Sequence, residues 1–451
     1  MPRSYSTWKP IVHVFMNLLM SVIGAGMLSL PFTFAVVRTG DAVVLIVMVG
    51  LFMGLTAHAL LHAHAQVAMR EEAMGCIGAG RNWASYRSMA MQVAGVRFGD
   101  FVSVVMAVGI FGGCVGCIRI IRDMMPHMSE LIYSSFTTND YDALGDSQQS
   151  LFQNTFLWVV FLVVIFPLCS LKELSALKIT NYLGFVCSLS LVIAVVYRSH
   201  MAQHASSFNL PKHSANTTAH HRTRLPLPAT EDVSSIARFA QCISIFSYAF
   251  TMHLNLLPLF IQLRGKCTEP IRQTRDRMTA CIVAVVVLCV LLYSIFGFYA
   301  FRLYGKNIQG NVLINMQHDS FMQTPLVAVF VTVLVTFPPL FHPQRVIVEE
   351  LVFRRPAVEV SRSRRLITTA ALLLAELTTA IWVPSIEVVF SLVGASTTVM
   401  ICYVFPVVMF TRLSSWTKIS FGPMWFLLLW IIVAFVSCMG LRTVVFIVSN
   451  K

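Results

Sequence analysis

The residues best suited to chemistry lie at two interruptions of long apolar segments. The first segment, residues 11–37, contains Gly24, Ala25 and Gly26 in its middle and Pro31 soon after. Glycine and proline weaken a helix, and the backbone groups that they free at membrane depth must be satisfied by protein, by a ligand or by an ion. A second segment, around residues 246–255, carries Ser, Tyr, Thr, His and Asn side chains. Such a pair of interruptions predicts a binding site for a polar solute.

Histidine and cysteine pairs suggest a different chemistry. His58 and His62, with His64 nearby, match one histidine-box spacing, and an i, i+4 pair can face one metal ion. A membrane di-iron oxygenase is therefore an alternative, although such enzymes need several boxes. The simpler interpretation places these histidines at the inner end of the second helix. Cys114 and Cys117 have metal or redox spacing, but they lie in an apolar helix without a second pair, so we predict packing thiols and no metal site.

The composition is that of a protein with many membrane spans. Of the 451 residues, 57% are hydrophobic and only 12% are charged, far from the mix of a soluble domain. The net charge of +13 could attract nucleic acid, but that requires Lys and Arg clustered on one face. Here they lie in loops between apolar segments, so we expect a lipid bilayer as partner and no nucleic acid.

Eleven apolar segments can position the two interruptions. Crossing a bilayer takes about 20 apolar residues, and the fourth segment is short for this. Only a tight turn around Pro384 separates the ninth from the tenth. The predicted spans are residues 11–37, 43–68, 101–118, 152–168, 179–197, 236–263, 278–301, 325–348, 366–382, 388–410 and 421–449.

Lys and Arg residues predict the orientation of these spans. They are concentrated in alternate loops, which makes residues 1–10 a cytoplasmic N-terminus and places the C-terminus outside. The polar loop 198–235 then lies outside the cytoplasm. It contains Asn216 in the sequence Asn-Thr-Thr, an acceptor pattern for N-glycosylation. Both observations support the same topology.

The run from Asn17 to Pro31 resembles the first helix of the amino acid/auxin permease family. The resemblance continues through residues 246–263, 336–345 and 384–406, and so covers most of the chain. It implies an all-α, LeuT-like membrane protein whose first and sixth helices are discontinuous. The ten-helix core, residues 11–410, would form a five-plus-five inverted repeat, and an eleventh helix would follow. The implied halves are residues 11–197 and 236–410, with the extra helix at 421–449.

The implied function is secondary active transport of amino acids by alternating access. An amino acid carries a carboxylate, which suits the N–H groups of a half-helix N-terminus, and an ammonium group, which suits unwound carbonyls. The glycine-rich break would supply this backbone, and residues of the sixth helix would add polar contacts and aromatic walls. The predicted substrate-binding residues are Gly24, Ala25, Gly26, Met27, Tyr248, Phe250, Thr251 and His253.

The resemblance also implies a position for a coupling cation. In relatives driven by Na⁺, carbonyls of the first helix and a hydroxyl of the eighth hold the ion. The matching groups here are the carbonyls of Met20 and Ile23 and the hydroxyl of Thr336, with Asn17 one turn away. Met20 departs from relatives that carry Asn there. His253 offers H⁺ coupling instead, so Na⁺ and H⁺ both stay open, and no cofactor is expected.

Two acidic residues lie within or beside the later spans. Glu376 interrupts the ninth span and Glu387 opens the tenth. A carboxylate in the binding pocket would suit a cationic amino acid. The ninth helix is peripheral in the family fold, however, so we expect Glu376 to have a structural partner or to lie at a helix end.

A third class of function is an amino-acid-sensing receptor built on the transporter fold. Its usual sign is a long cytoplasmic extension, and only ten residues precede Ile11. We expect a functional monomer in the plasma membrane, with the lysosomal or vacuolar membrane as the alternative.

Overall fold

Helices make up nearly all of the chain that the structure describes. In these residues there is no β-strand. The predicted glycosylation residue Asn216 lies outside them. The computed structural model describes residues 8–73, 85–137, 141, 144–171, 178–207, 235–265, 270–354, 360–413 and 422–449.

The first span is broken where its glycines predict a break. Helix α1 (Trp8–Val22) ends before Gly24, whose backbone is extended at φ −124° and ψ −157°. A 3₁₀ turn (Ala25–Ser29) and helix α2 (Leu30–Val36) complete the span. The two parts are bent by 40°, and Pro31 lies at the start of α2, where a missing N–H is tolerated.

Helices α3 (Thr39–Ala73) and α4 (Tyr86–Phe136) follow. The third span was predicted at residues 101–118. Helix α4 is much longer, because an N-terminal segment joins it across a kink and because the helix continues beyond residue 118 to Phe136. At the kink Ala94 and Gly95 are not helical, and Gly95 has φ 80°, a conformation that glycine adopts without strain.

The fourth and fifth spans complete the first half. Helix α5 (Asp146–Val159) continues through a π-helical turn (Val160–Ile165) into α6 (Phe166–Cys169). Pro167 follows the π turn and has no N–H for an ordinary helical bond, so the helix widens before it. Helix α7 (Lys178–Ser207) is the fifth span.

The second half begins with another broken span. Helix α8 (Ser235–Ala249) stops at Phe250, and α9 (His253–Arg264) starts three residues after Phe250. The remaining helices of this half, with the terminal helix, are α10 (Ile271–Tyr304), α11 (Val312–Met316), α12 (Gln323–Phe353), α13 (Arg362–Trp382), α14 (Ile386–Ala395), α15 (Thr397–Val399), α16 (Phe405–Leu413) and α17 (Gly422–Ser449).

The described residues confirm the eleven predicted spans. Ten stretches are long and apolar enough to cross a membrane, and the bent pair of the first span makes an eleventh. Burial places the broken sixth span in the centre: 72% of its most apolar window is buried, against 22% for the fourth span. Helix α8 packs against α14, α17 and α3, and α1 packs against α9 and α10. The two interruptions therefore lie inside the bundle.

Candidate functional site

The two helix breaks touch each other at Gly26. A Cβ atom on Gly26 would lie 3.0 Å from Cα of Ala249 and 3.2 Å from Cδ1 of Tyr248. Only glycine lets the backbones of the two broken spans approach this closely. At Gly24 the same test meets nothing within 4 Å, so this exposed residue borders open space.

Tyr293 of α10 joins the two breaks by hydrogen bonds. Its buried hydroxyl lies 2.7 Å from the carbonyl oxygen of Val22 and 3.1 Å from that of Ala249. These carbonyls belong to the last residues of α1 and α8, where helices leave acceptors without internal partners. The sequence analysis missed Tyr293. The only signal was a phenol in the middle of an apolar span.

The break of the first span also presents N–H groups. The first hydrogen bond of the 3₁₀ turn runs from the Met27 N–H to the Gly24 carbonyl, at 3.1 Å. The N–H groups of Ala25 and Gly26 come before this bond, at the N-terminal end of the turn that leads into α2. Such an end carries partial positive charge and favours a negatively charged group. Met27 itself is buried and contributes through its backbone.

The predicted polar residues of the sixth span occupy its break. The hydroxyl of Thr251 donates to the Ser247 carbonyl at 3.2 Å. His253 is fully buried, and its Nε2 lies 3.1 Å from the hydroxyl of Thr56. Since that hydroxyl donates to carbonyls of its own helix, we assign the imidazole hydrogen to Nε2. The Nδ1 atom then is an acceptor, and it has no hydrogen-bond partner in the described part of the chain.

The two predicted aromatic walls lie in different surroundings. Tyr248 is partly exposed and stacks on Phe390 of α14, with ring centroids 4.3 Å apart and planes 16° apart. Phe250 is fully buried and meets Tyr293 edge to face at 5.1 Å. The chain leaves the helix at Phe250, which turns this ring into the core near Gly50. Phe390, the ring on which Tyr248 stacks, was not among the residues predicted from the sequence.

Met20 and Thr336, two residues of the predicted cation position, lie where three helices meet. A Cβ on Gly184 of α7 would lie 2.7 Å from the Met20 methyl carbon and 3.8 Å from the Thr336 methyl carbon, so α1, α7 and α12 meet here. The hydroxyl of Thr336 donates to the Thr332 carbonyl at 2.8 Å. The Asn17 amide lies 3.3 Å from Nε2 of His13. The Met20 side chain carries no oxygen that a hard cation could use, and the carbonyls of Met20 and Ile23 stay the predicted ligands.

The histidines of α3 do not form a metal site. Aromatic rings surround them: His58 lies against Trp425, His62 against Phe410 and His64 against Phe260. Among the residues that the structure describes, no group of three or more His, Cys, Asp or Glu side chains could hold a metal ion.

The two acidic residues of the later spans have different neighbours. Glu387 lies close to Arg119 and Asp123 of α4, which themselves form an ion pair at 3.1 Å. Glu376 is fully buried beside Gln344 and Cys114. It has no ion-pair partner among the described residues and lies six residues before the last residue of α13. Glu376 therefore lies within α13, with an amide and a thiol as its neighbours.

Two discontinuous helices in contact, at the centre of an eleven-span bundle, define a membrane transporter of the broken-helix type. The particular family follows from comparison with known proteins. The chain belongs to the family described as "Transmembrane amino acid transporter protein", whose profile matches residues 8–448. This confirms the resemblance seen in the sequence. The family is one of transporters, so the oxygenase alternative is wrong.

Individual relatives are distant but extend along most of the chain. A Xenopus tropicalis protein, provisionally named sodium-coupled neutral amino acid transporter 8, is 21% identical over 398 residues. The match covers 86% of this chain and 81% of that protein. Vacuolar amino acid transporter 2 of Saccharomyces cerevisiae is 23% identical over 400 residues, covering 87% of this chain and 74% of the relative.

A solved structure shares the fold. The crystal structure of the Eremococcus coleocola manganese transporter, in complex with an aromatic bis-isothiourea substituted compound, gives a TM-score of 0.53 at 12% identity. The alignment covers 98% of this chain and 88% of that one. The likeness supports the LeuT-like arrangement predicted from the sequence and indicates nothing about the solute. The chain is a multi-pass membrane protein and a secondary transporter.

Proposed function

We propose that this transporter carries an amino acid, bound between the breaks of the first and sixth spans, across the membrane by alternating access. The observation that supports this most strongly is the close contact of Gly26 with Ala249, beside the open space at Gly24. It brings backbone donors of one break and polar groups of the other within reach of one small solute. A solute with both a carboxylate and an ammonium group matches that set.

Each predicted residue has a distinct role in this proposal. The N–H groups of Ala25 and Gly26 bind the carboxylate, and Gly24 leaves room for it. Thr251 and the Nδ1 atom of His253 are acceptors near the second break. The ammonium group donates hydrogen bonds to these two side chains and to the unwound backbone carbonyls. Tyr248, backed by Phe390, lines the space for the substrate side chain, and buried Met27 and Phe250 hold the breaks in shape.

The driving cation is a separate part of the proposal. Asn17, Met20, Ile23 and Thr336 remain the proposed position if Na⁺ drives transport. Methionine at position 20, where some relatives driven by Na⁺ carry Asn, supplies no side-chain oxygen and weighs against it. H⁺ needs only a titratable group, and so it is the coupling ion that we favour.

The remaining proposals concern the oligomeric state, the membrane in which the protein lies and the choice between transport and sensing. We propose a functional monomer in the plasma membrane, and one of the two relatives described is named as a vacuolar protein. An amino-acid receptor without net flux is the second candidate, because binding between the breaks does not by itself require transport.

The experiment is uptake by purified protein in liposomes, loaded with an unlabelled amino acid and supplied outside with labelled alanine, leucine, lysine or arginine. We expect saturable exchange of at least one of them. Binding of an amino acid without any exchange would favour the receptor, and neither binding nor exchange across a full panel would overturn the proposal.

A further inference from the structure

Glu376 is a carboxyl group buried inside the membrane-spanning bundle without a counter-charge. It is completely buried on α13, and its two oxygens face the Gln344 amide of α12 and the Cys114 thiol of α4. Neither contact has the geometry of a full hydrogen bond, and no cation pairs with the carboxyl among the described residues. An ionised carboxylate in such a place costs many kcal/mol, and the group binds a proton instead.

The neighbouring amide suits the protonated form. The Oε1 atom of Gln344 is buried and has no hydrogen-bond partner in the described part of the chain. A carboxylic acid has one O–H to donate, whereas a carboxylate has none. Protonation of Glu376 therefore supplies a donor beside this amide, whose oxygen lacks one, and deprotonation removes that donor.

The other groups near Glu376 do not neutralise a negative charge. Cys114 and Cys117 face it from α4, and Cys169 faces it from α6. The nearest cation on α12 is Arg345, which donates to the carbonyls of Cys169 and Leu171 at the end of the fourth span.

The charge of Arg345 is also matched by another acid. Its Nε lies 3.8 Å from Glu349, one turn further along α12. Arg365 of α13 is close to this same pair. These two arginines and Glu349 form a separate charged group at the start of α13, which leaves Glu376 as an isolated acid.

A short series of contacts leads from Glu376 to the two helix breaks. Cys114 is next in sequence to Gly113, where a Cβ would lie 3.2 Å from the Tyr248 hydroxyl. Tyr248 in turn contacts Gly26 at the meeting point of the breaks. Cys114, a neighbour of Glu376, is thus next to a residue of α4 that packs against Tyr248.

We propose that Glu376 is the proton-binding site of this transporter, and that Cys114 and Tyr248 link its protonation to the substrate between the breaks. In each cycle the carboxylate takes up one proton from the side of higher proton concentration. Glu376 becomes a carboxylate again when that proton leaves on the opposite side of the membrane. One substrate molecule is released on the same side. The coupling part of this proposal rests on the proposed amino acid transport, whereas proton binding at Glu376 does not.

The first test measures proton binding alone. The infrared spectrum of the purified protein in lipid is recorded as the pH is raised, and the carbonyl stretch of a protonated carboxylic acid is followed. We expect one such band near neutral pH that is lost in Glu376→Gln and kept in Glu130→Gln, a change of an exposed acid at the outer end of α4. Identical spectra of wild type and Glu376→Gln at every pH would overturn the proposal.

The second test measures coupling in liposomes with labelled alanine, leucine, lysine and arginine. A gradient of one pH unit corresponds to about tenfold accumulation when one proton moves with one substrate, or about 1.4 kcal/mol. We expect Glu376→Gln to lose this accumulation and to retain exchange at equal pH. Accumulation by the variant equal to that of wild type would contradict the proposal. Absence of exchange in wild type would instead contradict amino acid transport and leave the infrared result standing.

Two further measurements guard against a merely structural effect. Glutamine resembles a neutral carboxylic acid in shape, so Glu376→Gln should unfold at nearly the temperature of wild type. Glu376→Asp keeps a titratable carboxyl and should retain accumulation driven by the pH gradient. Loss of accumulation in Glu376→Asp together with a large fall in its unfolding temperature would indicate a packing role and count against the proposal.

Discussion

The hydroxyl of Tyr293 lies 2.7 Å from the carbonyl oxygen of Val22, the last residue of the first half of the broken first span. The same hydroxyl lies 3.1 Å from the carbonyl of Ala249, which ends the corresponding half of the sixth span. One side chain of α10 thus satisfies acceptors of both breaks. At membrane depth, backbone acceptors need such partners within the protein.

Tyr293→Phe should destabilise the protein. The Val22 carbonyl still accepts a hydrogen bond from the Gly24 N–H at 2.8 Å. The Ala249 carbonyl, however, loses the hydrogen bond from Tyr293. A buried acceptor without a partner costs about 1–3 kcal/mol. We expect a lower unfolding temperature in detergent, measured by intrinsic fluorescence. Tyr299→Phe on the same helix is the matched control, and an equal effect of the two variants would contradict a special role of Tyr293.

Gly26→Ala should weaken the contact between the breaks. The added methyl group would lie 3.0 Å from Cα of Ala249, so one backbone must move away. Overpacking of this kind costs about 1–3 kcal/mol. The expected result is a lower unfolding temperature together with weaker amino acid binding. A variant as stable as wild type would show that the contact is less tight than the structure indicates.

The stack of Tyr248 on Phe390 should contribute to substrate selectivity. Replacement of Tyr248 by Leu removes a ring pair worth about 0.5–1.5 kcal/mol beyond its buried area. We expect a KM change of roughly two- to tenfold that depends on the size of the substrate side chain. Tyr248→Phe keeps the stack and should keep the selectivity order. Equal KM changes for alanine and leucine in Tyr248→Leu would argue against a wall of the side-chain pocket.

Thr336→Ala distinguishes the two candidate driving ions. Because we propose that coupling runs through protonation of Glu376 and not through a cation at Thr336, we expect the variant to keep uptake driven by a pH gradient. Adding Na⁺ should change neither wild type nor variant. The measurement is initial uptake with each gradient imposed alone. Stimulation of wild type by Na⁺ that disappears in Thr336→Ala would restore the sodium position.

Much of the fold could be predicted because hydropathy and helix breakers act locally. Glycines in the first span and polar residues in the sixth identified both breaks, and α14 follows the predicted turn at Pro384. The predicted third span covers only part of α4, because the segment before Gly95 is amphipathic and lies outside the apolar run. Hydropathy alone does not report such a segment.

The site was harder to predict, because the orientation of a side chain no longer follows from helical periodicity once the helix has ended. Helical periodicity cannot say where Phe250 points once its backbone has left the helix, and the ring faces Tyr293 rather than open space. Tyr293 was missed because its partners are backbone carbonyls, which no sequence pattern marks. The isolation of Glu376 depends on which side chains α4 and α12 turn toward it.

The central claim is that an amino acid binds against the backbone at Gly24. The most direct measurement is equilibrium binding of a labelled amino acid to purified wild type and to Gly24→Val, with Gly40→Val as the control. Neither glycine has an atom within 4 Å of an added Cβ, so both variants should fold as well as wild type. We expect the affinity of Gly24→Val for the amino acid to fall at least about tenfold, or about 1.4 kcal/mol. Gly40→Val should bind the amino acid as wild type does. Binding by Gly24→Val that equals wild type would contradict the account.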